Sequence, residues 1–141
     1  DERNAEVWGY LALLSLCKGW KYLADAKASM AQALSLGLDK APLLREVATS
    51  LVAVDELLLA EDLLRRAVAS AEDRAAQLRA KKSLADVLAA QNNANAAVAE
   101  YLEVLRDGTA EKDQMSEAAE KAKQLLRALG REEEAAELEA I

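Results

Sequence analysis

Leu44-Arg45-Glu46-Val47-Ala48-Thr49-Ser50-Leu51, followed after a short gap by Ala60-Glu61-Asp62-Leu63-Leu64-Arg65-Arg66-Ala67, is the stretch that decides the fold. Apolar residues recur in both segments at steps of three and four, the period of a helix that buries one face. The first segment sets the large Leu44, Val47 and Leu51 around a small Ala48, and the second sets Ala60 and Ala67 on either side of Leu64. Small residues let two antiparallel helices approach closely, and large ones fill the groove to the next pair. Pro42 suits the first turn of the leading helix, and the acidic Asp55-Glu56 opens the following one. The spacing predicts a helical hairpin over about residues 41–74.

The same rhythm continues in both directions. Toward the N-terminus, a helix is expected over about residues 4–18, with Asn4 as N-cap, Gly19 as its end, and Val7, Trp8, Leu11, Leu14 and Cys17 on its buried face. A second runs over about 22–36 and stops at Gly37, a good helix-ending residue. Toward the C-terminus, helices are expected over about 74–90, 95–106 and 112–129, with a last one from Arg131. Gln91-Asn92-Asn93, Asp107-Gly108 and Gly130 mark the breaks. About eight helices result, with short turns between them.

Composition agrees with an all-α chain. Hydrophobic residues make up 52% of the 141 residues, but aromatics are only 4% and Phe is absent, so the core must be thin and alanine-rich. Ala, Leu, Glu, Lys and Arg dominate, and these are the strong helix formers. The net charge of -7 disfavours nucleic acid and anionic membranes as partners. No run reaches the roughly 18 apolar residues of a spanning helix. The charged start, Asp1-Glu2-Arg3-Asn4, lacks a signal-peptide layout, and a chain that begins and ends inside helical patterns reads as a fragment of something longer. Cys17 is the only cysteine, which rules out an internal disulfide and fits a reducing, intracellular setting.

The pattern repeats. Ala60, Leu64 and Ala67 stand 34 residues after Ala26, Met30 and Ala33; Ala97, Tyr101 and Val104 follow 37 residues later, and Ala135 a further 38. In the preceding helix of each pair the series runs Trp8, Leu11, Ala12, Ser15; Leu44, Val47, Ala48, Leu51; Leu84, Ala85, Leu88; and Ala122, Leu126. This order, large–xx–large–small and then Ala–xxx–large–xx–Ala, resembles the tetratricopeptide repeat (TPR) over nearly the whole chain. The resemblance implies antiparallel hairpins stacked as a right-handed TPR-like α-solenoid. It implies one domain, with repeats near 5–40, 41–74, 78–111 and 116–141, the last truncated. The sequence departs from the family in its longer turn around Trp20 and Tyr22, in its uneven spacing, and in Leu38, which stands where the family has a closing proline. Those irregular spacings also argue against a designed repeat. Asn4-Ala5-Glu6-Val7-Trp8-Gly9-Tyr10-Leu11-Ala12-Leu13-Leu14, with Leu36-Gly37-Leu38, further resembles the TPR region of cilia- and flagella-associated axonemal proteins.

Catalysis finds no support in the residues. Histidine is absent, which removes the commonest general base and metal ligand. A Cys17 or Ser nucleophile would lack a histidine partner, and Cys17 reads as a small core hydrophobe. Glu132, Glu133, Glu134, Glu137 and Glu139 read as a solvated helix face. No cofactor or metal is expected, and no phosphate-binding glycine loop appears.

Binding is the remaining class. The TPR resemblance implies that the first helix of each pair lines a concave face, through Glu6, Gly9, Leu13 and Leu16, then Arg45, Thr49 and Val52, then Arg79, Lys82 and Asp86, then Glu120 and Gln124. Arg45, Arg79 and Lys82 then either form a cationic patch that steers an acidic or phosphorylated partner segment, or stand as ordinary solvated charges. Gly9 and Leu13, or Arg45, Thr49 and Glu117 one repeat on, do not match the Lys and Asn of the clamp that some TPR cochaperones use on heat-shock protein tails. Trp20 and Tyr22 are either a docking anchor or a cap folded back over the first hairpin. The expectation is a non-catalytic scaffold for a protein partner within a larger complex. The alternative is a regulatory or sensory helical domain that takes a peptide or small ligand in a closed apolar pocket.

Overall fold

A computed structural model of the chain describes residues 2–107 and 110–139, the side chains of residues 2, 3, 20 and 139 excepted. The described residues form eight α-helices and no strand: α1 Glu2–Cys17, α2 Leu23–Ser35, α3 Ala41–Ala53, α4 Leu57–Ser70, α5 Arg74–Ala90, α6 Ala94–Arg106, α7 Lys112–Ala128 and α8 Glu132–Glu139. A 3-10 turn, Trp20–Tyr22, joins α1 to α2. Helix bounds fall within a residue or two of those expected, and the reason is visible at the ends.

Four helices stop in the same way. Gly37, Asp55, Asn92 and Gly130 take φ of 87°, 63°, 63° and 77° after α2, α3, α5 and α7. The next residue then donates its N–H back across the last turn, Leu38 to Ala33, Glu56 to Leu51, Asn93 to Leu88 and Arg131 to Leu126, at 2.8–3.0 Å. This is the Schellman closure, and it occupies carbonyls that a helix end leaves orphaned. Glycine adopts the left-handed region freely, and Asp and Asn are the side chains that tolerate it best. Asp55 therefore terminates α3; it does not open α4 as expected. Asn4 likewise lies inside α1 and is not its N-cap. At α5 a side-chain cap does occur, one the sequence reading had not named: the Asp73 side chain accepts from Ala76 N–H at 2.7 Å. Gly108, expected to help close α6, lies outside the described residues.

The chain divides into two compact units, Asp1–Glu72 and Asp73–Ile141. In the first, α1 packs on both α2 and α3, and α3 pairs with α4. In the second, α5 pairs with α6, α6 with α7, α7 with α8, and α5 also meets α7. Neighbouring helices thus pack in pairs, as the short turns require. The predicted small–large–small triplets all lie in the cores: Ala26, Met30 and Ala33, then Ala60, Leu64 and Ala67 in the first unit, then Ala97, Tyr101 and Val104 in the second. Burying one such large side chain fully is worth roughly 1.5–3 kcal/mol. Apart from the phenol of Tyr101, no polar or charged side chain is buried among the described residues.

The face of α1 is the main departure. Its buried residues are Ala5, Gly9, Ala12 and Leu16. Val7, Trp8, Leu11 and Leu14, read from the sequence as core, are exposed, and so is Cys17. Closeness decides this: a Cβ on Gly9 would stand 2.8 Å from Leu43 Cδ2 and 3.1 Å from Leu38 Cδ2. A side chain at this position would press on Leu43 and Leu38 where α3 approaches, so α1 turns Ala5, Gly9 and Ala12 inward together with Leu16, and Val7, Trp8, Leu11 and Leu14 outward.

Candidate functional site

The second unit concentrates its polar chemistry where α5, α6 and α7 meet. Lys82 and Asp86 stand one turn apart on α5, and Glu117 and Lys121 one turn apart on α7, so both pairs show the i, i+4 spacing that puts side chains on one helix face. Lys82 Nζ lies 2.8 Å from Glu117 and 3.6 Å from Asp86; Lys121 Nζ lies 2.8 Å from Asp86 and 3.2 Å from Glu117. The four charges alternate around a closed ring. Tyr101, buried on α6, donates its hydroxyl to the Asp86 carboxylate.

The electrostatics follow from this placement. Burial, reinforced by the hydrogen bond to Asp86 and the negative charge of Asp86 and Glu117, pushes the Tyr101 phenol well above its ordinary range. Hydrogen bonds from Lys82 and then Lys121 hold the Glu117 carboxyl below the usual carboxylate range, against a smaller opposing effect of desolvation. Desolvation opposes the Lys121 charge most strongly, but the hydrogen bonds and charges of Asp86 and Glu117 together outweigh it and raise that ammonium. The ring neutralises itself. Its members keep partial solvent contact, so each pair adds about 0–1 kcal/mol.

These contacts change how the expected binding residues present themselves. Arg79 is paired with Glu111 at 3.0 Å, and Lys82 belongs to the ring, so neither offers an unshared cation. Asp86 accepts from Tyr101 and Lys121. In the first unit, Arg45 makes no ion pair among the described residues, and Thr49 directs its hydroxyl to the Arg45 carbonyl at 2.9 Å. Tyr22 is exposed, with Lys18 Nζ 5.6 Å from its ring centre, a cation–π contact. The side chain of Trp20 lies outside the described residues.

Sequence reasoning missed two surfaces. On α1, Val7, Leu11 and Leu14 form an exposed apolar stripe at i, i+4 and i+7, with Tyr10 beside it. That spacing was legible, but it was assigned to the core. In the second unit, a groove of about 330 Å³ lies between α6, α7 and α8, with Leu105, Met115, Ala119 and Leu138 as its apolar lining and Ser116, Glu120 and Lys123 as its polar one. Its lining residues come from three helices, so no single stretch announces it. No group of three or more His, Cys, Asp or Glu side chains able to hold a metal occurs among the described residues. No described helix is long and apolar enough to cross a membrane.

Comparison adds no relative. No family model matches the sequence, and searches of curated proteins and of solved structures find no match.

Proposed function

We propose that this chain is a non-catalytic scaffold for protein–protein interaction, a TPR-like segment of a larger assembly. The observation that carries the reading is the display of Val7, Trp8, Leu11 and Leu14 on the outside of α1 while Ala5, Gly9 and Ala12 face inward. Exposed apolar stripes of this kind mark interaction sites on proteins. Further support comes from the buried triplets of α2 and α4, both Ala–xxx–large–xx–Ala, and of α6, where Val104 takes the last place. The repeats would then stack as a right-handed solenoid in a single domain, with Arg45 and Thr49, and Arg79, Lys82 and Asp86, as partner contacts, and Trp20 and Tyr22 as a docking turn. The ciliary axoneme is the setting that the first hairpin resembles. The proposal places the chain inside the cell, where a lone thiol such as Cys17 stays reduced.

A pull-down with this chain tests the reading, comparing wild type with Arg45→Glu/Arg79→Glu. A protein partner with an acidic segment should be recovered by wild type and largely lost by the variant. Unchanged recovery removes the two arginines from the interface. Failure of wild type to retain any protein from ciliary or whole-cell extract would end the scaffold reading.

A second reading, a regulatory domain that takes a peptide or small ligand, rests on the groove between α6, α7 and α8, which is open and not the closed apolar pocket expected for it. Its volume of about 330 Å³ sits at the lower edge of the usual ligand range. Filling it by Met115→Trp should abolish ligand-induced thermal stabilisation if this reading holds.

A further inference from the structure

α1 and α3 occupy equivalent places in their hairpins, and their outward positions have opposite fates. Val7 and Leu11 stand 36 residues before Leu43 and Val47. Leu43 and Val47 are 4% and 1% exposed, in a helix that packs against α1, where Leu43 meets the bare backbone of Gly9; Val7 and Leu11 are 55% and 42% exposed. The chain therefore contains a template for what covers such a stripe: a helix that turns small residues toward it.

Charge fixes the remaining chemistry. The stripe Val7, Leu11 and Leu14 carries no charge, and Lys18 continues it at i+11. Lys18 and Lys21 are exposed and make no ion pair among the described residues, whereas Lys27, Lys81, Lys82, Lys121 and Lys123 are all paired with carboxylates. Two uncompensated cations at one end of an apolar ridge, in a chain of net charge -7, select for carboxylates on whatever docks there.

We propose that the outward face of α1 is a docking ridge for one helix of a partner protein, an amphipathic helix with a stripe of small residues and with carboxylates at the end that meets Lys18 and Lys21. The mode is helix against helix, with anchors at i, i+4 and i+7. Tyr22, stacked with Lys18, closes that end of the ridge. The inference rests on the scaffold reading and specifies where and with what chemistry it operates.

The test uses two synthetic helical peptides without tryptophan, each with an Ala/Gly stripe flanked by leucines. One carries three glutamates in its first turn, the other three lysines. Cys17, exposed beside the stripe, reports coverage through its alkylation rate. The glutamate peptide should bind, slow Cys17 alkylation at least tenfold, and shift the fluorescence of Trp8. Leu11→Glu, at an exposed position and checked for an unchanged melting temperature, should weaken that peptide at least tenfold. Lys18→Glu/Lys21→Glu should reverse the preference between the two peptides. Lys112→Glu, at an exposed position on α7, should leave peptide affinity unchanged; the peptide assay does not involve Arg45 or Arg79, so failure of the ridge is distinguished from failure of the charged contacts in the pull-down. Neither peptide binding, equal binding of both, or an indifferent Leu11→Glu overturns the proposal. So does sedimentation that finds a dimer of the free chain which Leu11→Glu dissolves, because the ridge would then belong to a second copy.

Discussion

The two units solve the packing of helical pairs in different ways. In Asp1–Glu72, α1 meets α3 through a bare glycine, and the helix keeps its large side chains outside. In Asp73–Ile141, α5 and α7 meet through charges, with Lys82, Asp86, Glu117 and Lys121 alternating in a ring and Tyr101 beneath it. Lys81 to Glu103 and Arg74 to Asp107 add further pairs between α5 and the α6 segment. The first unit thus presents apolar surface, and the second covers its helix contacts with compensated polar groups. Helices of similar composition can be interaction surfaces or finished surfaces, according to which face packs.

The largest test of this contrast lies in the first unit. Leu64→Ala removes a fully buried side chain and should destabilise the unit by about 2–5 kcal/mol. Leu14→Ala removes an equally large side chain from the ridge and should change stability by about 0.5 kcal/mol or less. Chemical denaturation of both variants checks the pair; equal losses would mean that the ridge is core after all.

A medium effect is expected at Tyr101. Tyr101→Phe removes the hydroxyl from Asp86, which keeps Lys121 as a partner, and should cost about 1–2 kcal/mol. The phenol is raised in the folded state, so its contribution is fully present below the ordinary tyrosine pKa of about 10 and is lost as pH rises beyond it. Unfolding followed between neutral pH and pH 11 should show wild-type stability falling above that point, with a shallower fall in Tyr101→Phe.

The smallest effect belongs to the charge ring. Glu117→Gln should cost about 1 kcal/mol or less, and that loss should shrink further in high salt. Glu117 is depressed in the folded state, so its contribution is present at neutral pH and fades as pH falls through and below the usual carboxylate range. A variant insensitive to both salt and acid would show that the ring is decorative.

Much of the fold was legible because local rules decide it. Gly37 and Gly130 end their helices, and the triplets of α2, α4 and α6 lie inside. Asp55 was misread because a helix-ending residue in the left-handed region and a helix-opening acid look alike when two helices almost touch in sequence. Of the candidate site, the aromatic turn at Tyr22 could be singled out in the sequence, but the partners of Arg79 and Lys82 could not. Glu111 and Glu117 stand 32 and 35 residues away from them, and nothing in a one-dimensional pattern selects them.

The sequence by itself determined the helices and the side chains that nest at alanine contacts, because periodicity and chain-reversal chemistry act within a few residues. Only the tertiary structure decided which way α1 faces. That helix is apolar on nearly every side, so hydropathy could not choose a face, and the choice fell to how closely Leu43 and Leu38 approach Gly9. That choice put Val7, Leu11, Leu14 and Cys17 in solvent; in the second unit, the meeting of α5 with α7 set the charge ring.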